Sequence, residues 1–113
     1  AGHSVGWGAG AEVHERGDAW LIGVDNDWVV TFPEFADIIL TSIEKRFDVS
    51  VTLAAKAIAE GKFTGGIHVG TLETGEVGLA PFHSLDALIS QQVRADLEQI
   101  AADIIAGKIQ TKP

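Results

Sequence analysis

Apolar residues recur at positions 43, 47, 51, 54, 55 and 58, and again at 85, 88, 89, 93, 97, 100 and 104. Both series have the three-and-four spacing that gathers apolar side chains along one side of a helix. They predict a helix over 43–60 stopped by Gly61, and a longer one over 84–106 stopped by Gly107. Thr41 and Glu44 stand at capping-box spacing at the start of the first. A shorter helical pattern over 9–16 stops at Gly17 and follows a glycine-rich stretch over 1–10. That stretch reads as a loop that needs unusual backbone angles or a close approach to something. Continuous apolar runs over 19–24 and 38–40 read as short buried strands. Weak alternation over 67–72, a turn at Thr74-Gly75 and residues 76–80 as the partner strand read as a hairpin. Residues 28–37 form a connection broken at Pro33. The order helix, strand, strand, helix, strand, strand, helix predicts an α/β protein whose sheet is partly antiparallel.

Composition narrows what such a domain does. The 113 residues suffice for one domain, and a hydrophobic content of 46% is that of a globular chain. Sixteen acidic and eight basic side chains leave a net charge of −8, which argues against a nucleic-acid partner and against docking on an anionic membrane. There are no cysteines, hence no disulfide framework and no thiolate metal site. No apolar run approaches the roughly 20 residues of a spanning helix. The chain opens at Ala1 without a Met, and its first residues read like the interior of a longer polypeptide.

Chemistry is expected where the strand over 19–24 runs into Asp25-Asn26-Asp27-Trp28, because ligands of open α/β sheets bind beyond the carboxyl ends of strands. Three readings compete for the two carboxylates. In one, they line a ligand-binding cleft. In another, Gly6-x-Gly8-x-x-Ala11 cradles a dinucleotide pyrophosphate and Asp25, 19 residues after Gly6, holds a ribose hydroxyl. That fingerprint requires a strand before its first glycine, and only five residues precede Gly6. In the third, Val24 to Val29 imitates the first motif of haloacid-dehalogenase-type phosphatases, with Asp25 as nucleophile, Asp27 as general acid and Mg²⁺ between them. That chemistry needs a later acidic pair at a strand end, which the chain does not offer after Glu76.

The histidines at 3, 14, 68 and 83 show no metal-ligand spacing, and no serine sits in a nucleophile elbow. His83 stands out because Pro81-Phe82-His83 is a rigid aromatic turn. Trp7 and Trp20 read as core, whereas Trp28, directly after the carboxylates, is placed to line a cleft. Lys45, read in the first turn of a helix, is disfavoured there by the macrodipole and so is expected to have a partner.

Three ordered motifs carry a family resemblance. They are Ile22-Gly23-Val24-Asp25-Asn26-Asp27, then Ile39-Leu40-Thr41-Ser42 with Lys45-Arg46, then Gly75-Glu76-Val77-Gly78-Leu79-Ala80-Pro81-Phe82. With the closing Ile104-Ile105-Ala106-Gly107-Lys108-Ile109, they resemble the C-terminal third of the basic membrane protein family, the PnrA-like substrate-binding lipoproteins of ABC transporters. The resemblance implies part of a type I periplasmic binding protein fold, a three-layer αβα arrangement with a mixed sheet. Residues 1–113 would form the C-terminal segment of a two-lobed protein, crossing the hinge near 38–42 and returning near 67–82. It implies a non-enzymatic, cofactor-free component that binds nucleosides, commonly purine nucleosides, at the outer face of the cell membrane and passes them to an ABC permease. The parent would carry a lipid anchor. Asp25 would accept from ribose hydroxyls and Lys45 would reach the same ribose. Asp27, Trp28 and the glycine-rich segment with Gly2 and Trp7 would line the cleft. Trp28 stands where the family usually has Gln, and His3 and Trp7 are unusual in the glycine segment. Separated from the other lobe, the helix over 43–60 is expected to extend away, to be exchanged or to pair in a homodimer. A Mg-dependent phosphatase-like enzyme and a ligand-sensing regulator on the same fold remain the alternatives.

Overall fold

The structure is a computed structural model that describes residues 3–111. Strand β1, Leu21–Asp25, pairs in parallel with β2, Ile39–Lys45, which pairs antiparallel with β3, Val77–Leu79. The sheet order is β1-β2-β3, so the fold is α/β with a mixed three-stranded sheet, as the sequence predicts. Helix α1, His3–Arg16, precedes β1; α2, Trp28–Thr31, and a 3₁₀ turn at Pro33–Phe35 join β1 to β2. Helix α3, Phe47–Ala59, follows β2, and α4, Gln91–Ile105, follows β3 after a 3₁₀ segment at His83–Leu88.

The core is small and sits where β1 and β2 meet α2. Trp28, Phe32 and Ile39 form it, and Ile38 and Ala80 are also buried. Trp28 and Phe32 meet edge to face with centroids 5.3 Å apart, and Trp7 meets both Phe32 and Phe35 at 5.6 Å in the same manner. Such pairs add about 0.5–1.5 kcal/mol each beyond area burial. Two hydroxyls knit the sheet to its surroundings: Thr41 Oγ1 donates to the carbonyl of Ala80 at 2.7 Å, and Ser42 Oγ accepts from the backbone N–H of Trp28 at 3.0 Å.

Several sequence expectations change. The capping box at Thr41 and Glu44 does not form, because residues 39–45 are strand and the helix begins only at Phe47. The hydroxyls that suit a helix start are spent on cross-links within the sheet, and the β-branched run Ile39, Thr41, Ile43 fits a pleated surface. Lys45 therefore ends a strand rather than opening a helix. The hairpin over 67–80 is replaced by pairing of β3 with β2; residues 67–72 form no strand, and Ile67 is 97% exposed. The turn before β3 is present: Thr71 and Thr74 exchange backbone and hydroxyl hydrogen bonds, and Gly75 has φ +73°. The long helix over 84–106 is broken at Ser90, whose hydroxyl accepts from Val93 N–H and caps α4.

The glycine-rich opening is helical from His3 onward, so it is not a loop. Of the two uses foreseen for its glycines, close approach is the one realised. A Cβ on Gly6 would run into the Trp28 ring, and one on Gly10 would meet Phe35. A dinucleotide cradle needs a strand before those glycines, and none is present among the described residues.

The body is elongated, 53 × 32 × 28 Å, with a Cα radius of gyration of 16.7 Å. A compact chain of this length would have about 13 Å. Helices α3 and α4 bury no residue. Phe47, Val51, Leu53 and Ile58 of α3 are all exposed.

Candidate functional site

Strand β1 delivers Asp25 to the tip of the sheet, and the register sets it opposite Glu44 of β2. Like charges directly opposite are unfavourable. Asp25 ends the strand with φ +77°, a left-handed angle that aspartate tolerates better than most side chains, and the two carboxylates take different partners. Its carboxylate meets Lys45, with Nζ 2.7 Å from Oδ1, while Glu44 takes Arg46 Nε at 3.0 Å. The amine arrives from the end of the neighbouring strand, so two chain segments twenty residues apart converge on one point.

The Asp25–Lys45 contact is charged but not aligned. Oδ1 is buried and lacks a donor in hydrogen-bond geometry, so Lys45 supplies counter-charge rather than a directed bond. The Asp25 side chain as a whole is 38% exposed, and that of Lys45 is 57% exposed. With one oxygen covered, the exposure of the aspartate lies on the rest of the side chain. An acceptor-only carboxylate beside a donor-only ammonium suits a ligand that both donates and accepts, as a vicinal diol does.

Asp27 has a different task. Its Oδ1 accepts from Val29 N–H at 3.0 Å and caps α2, and its Oδ2 takes His83 Nε2 at 2.7 Å. The side chain is 16% exposed, and both oxygens are engaged within the protein. The expectation that Trp28 lines a cleft is corrected: it is 4% exposed, and its indole N–H donates to Val24 O at 3.0 Å. Gly6 and Gly23 lie against the same ring, which closes it off from a ligand. Trp7 is half exposed and packs on Phe32 and Phe35, with the α2 cluster. Gly2 lies outside the described residues. Of the six residues singled out in the sequence, the structure brings Asp25 and Lys45 together.

A groove of about 950 Å³ runs beside α3, with Phe47, Val51 and Ala54 on one side and Phe63 and Val69 on the other. Lys45 borders it; Asp25, Asp27 and Trp28 do not. At its end sits a cluster the sequence did not disclose. Glu76, buried, accepts from Ser50 Oγ at 2.5 Å and from Thr74 Oγ1 at 2.7 Å, and pairs with His68 Nε2 at 2.7 Å. Those bonds, that of Ser50 foremost, hold its carboxyl at about 2, well below the usual 4.5; burial opposes the shift and does not overcome it. The cluster ties α3 and the 62–70 segment to the start of β3. Its members are 2, 8 and 26 residues from Glu76, so no spacing motif reveals it. Among the described residues no three His, Asp or Glu side chains gather as a metal site. No helix among them is long and apolar enough to cross a membrane.

No family model matches the chain. Among solved structures, an ABC transporter system solute-binding protein from Aeropyrum pernix K1 is similar, with a TM-score of 0.64 and 26% sequence identity over 88% of this chain. The match takes in 35% of that protein, so the present chain spans about a third of its length. The mixed sheet, the order of its elements and this likeness together give the chain a segment of the periplasmic binding protein fold of ABC-transporter solute-binding proteins.

Proposed function

We propose that this chain is the C-terminal part of the substrate-binding component of an ABC transporter, of the basic membrane protein type, and that its ligand is a nucleoside. The observation that carries the reading is the meeting of Asp25 and Lys45 at 2.7 Å at the ends of adjacent parallel strands. A ribose diol donates to the carboxylate and accepts from the ammonium, and each charge offsets the other when water is excluded. Asp25 and Lys45 are the ligand-binding pair; Asp27 supports them from behind. The groups that read the base belong to polypeptide outside these 113 residues.

The two-lobed arrangement is part of the same proposal. The chain leaves the sheet after β2 and returns as β3 antiparallel beside it, and α3 between them buries no residue. That is the pattern expected where a chain crosses a hinge near 38–42 and comes back near 67–82. In the full protein the ligand is passed to a permease at the outer face of the membrane, where a lipid anchor retains the binding protein. The phosphatase alternative loses its general acid, because both oxygens of Asp27 are committed to Val29 and His83.

Calorimetric titration of the protein at its full natural length with guanosine and adenosine tests the proposal. Saturable heat is expected, together with its loss in Asp25→Ala and a weakening in Lys45→Ala. Binding that survives Asp25→Ala unchanged would remove the assignment, and Mg²⁺-dependent hydrolysis of a phosphate ester would replace it with the enzyme.

A further inference from the structure

His83 lies 56 residues beyond Asp27, yet its Nε2 is 2.7 Å from Asp27 Oδ2. An ionised carboxylate only accepts, so the imidazole N–H is the donor. The Asp27 side chain is 16% exposed and that of His83 30% exposed. His83 holds φ +46°, and with Asp25 it is one of two non-glycine residues with positive φ among those described. Backbone in this region persists where surrounding contacts hold it.

The contact closes a ring. Asp27 is followed by Trp28, whose N–H is bound by Ser42 Oγ at 3.0 Å. Ser42 O accepts from Ala80 N–H at 2.8 Å, and Thr41 Oγ1 donates to Ala80 O at 2.7 Å. Three residues after Ala80 the chain reaches His83 and returns to Asp27. The turn from Asp25 to Asp27 is therefore held at Trp28 by the middle strand and at Asp27 by His83. Removal of His83 takes away the contact to Asp27 Oδ2 alone; the sheet, the Ser42 and Ala80 bonds and the Val29 cap on Asp27 Oδ1 involve other atoms.

We infer that His83 is a positioning residue: by pinning Asp27 it sets the 25–27 turn, and through that turn the direction in which Asp25 presents its carboxylate to the ligand diol. The inference rests on the nucleoside reading above for its ligand, and on the ring of bonds alone for the clamp. Nothing in residue spacing announces the role, since the partners meet only when the exit of β3 folds back over the end of β1.

Two measurements on the full-length protein test it. The first compares guanosine with 2′,3′-dideoxyguanosine by calorimetry in wild type, His83→Ala and His83→Gln; the glutamine amide nitrogen reaches where the imidazole Nε2 lies. His83→Ala is expected to weaken guanosine about tenfold, the scale of a hydrogen bond to a charged group, while leaving the dideoxy analogue unchanged. His83→Gln is expected to restore guanosine to within about twofold of wild type on the same scale. Equal weakening of both nucleosides in His83→Ala, or no weakening of either, overturns the positioning role. The second measurement needs no ligand: exchange of the Val29 amide hydrogen, which Asp27 Oδ1 protects. It is expected to quicken in His83→Ala and to recover in His83→Gln, and an unchanged rate overturns the clamp. Failure of the wild type to bind guanosine overturns the nucleoside reading instead, and the Val29 amide still decides the clamp.

Discussion

The hydroxyl of Ser42, fully buried in the middle strand, accepts the backbone N–H of Trp28, itself 4% exposed, at 3.0 Å. This bond fixes where the chain turns after Asp27, and it satisfies a donor that water cannot reach. Ser42→Ala removes the acceptor with almost no change in volume, leaving a buried N–H unpaired at a cost of about 1–3 kcal/mol. Urea unfolding should show a lower midpoint with an unchanged slope. A loss below about 0.5 kcal/mol would mean that the amide finds another partner.

Two glycines of one helix should behave in opposite ways. A Cβ on Gly6 meets the Trp28 ring, whereas one on Gly8 meets nothing within 4 Å. Gly6→Ala forces the indole out of place and should destabilise by about 1–3 kcal/mol. Gly8→Ala gains helix propensity, worth up to about 1 kcal/mol in a helix interior. Thermal midpoints of the two variants, one below and one at or above wild type, would verify the packing of α1 on Trp28. Equal shifts would not fit it.

The strand that ends at Asp25 was legible because a short apolar run stops at a carboxylate, and both features survive any tertiary context. Gly17, Gly61 and Gly107 marked their stops for a local reason too, since all three have left-handed φ values between +66° and +72°. What failed was whatever depended on a distant partner. Thr41 and Glu44 satisfy the local rule for a helix start, but β1 and β3 bind this segment from both sides and keep it extended as far as Lys45. The expected partner of Lys45 was real, for a reason other than the one that suggested it: the lysine ends a strand beside Asp25. Ser50, His68 and Glu76 carry no spacing signal, so their cluster appears only in three dimensions. His83 was the partial exception, because the turn Pro81-Phe82-His83 is locally rigid.

Glu76 should make stability depend on acid in a defined window. Its folded carboxyl sits at about 2 against an ordinary 4.5, so the unfolded chain binds this proton more readily than the folded one. Its contribution is fully present above pH 4.5 and is lost as pH falls from there towards 2. Urea midpoints measured from pH 6 downward should hold until that window and then decline. Glu76→Gln should lower the midpoint at pH 6 and flatten the part of the decline that Glu76 causes. An identical slope with pH in the variant would assign the acid sensitivity to other carboxylates.

The exposed face of α3 leads to the last prediction. The molecule presents 7892 Å² of accessible surface, against about 5,950 Å² for a compact chain of its size. The excess, about 1,900 Å², exceeds the roughly 800 Å² that one partner contributes to a standard interface. Phe47, Val51, Leu53 and Ile58 on α3, with Phe63, Ile67 and Val69 beyond it, are exposed apolar side chains. Apolar side chains gathered on an exposed helix face seldom stay in water. The isolated 113-residue chain should therefore self-associate at micromolar concentration in sedimentation velocity, although a net charge of −8 opposes close approach of two copies. Val51→Lys with Ile58→Lys should shift it towards monomer without changing the far-ultraviolet circular dichroism, because neither side chain is buried in the fold. A wild-type chain that sediments as a compact monomer and binds no hydrophobic dye would mean that α3 lies against the sheet in solution. The hinge reading of β2 and β3 would then lose its main support.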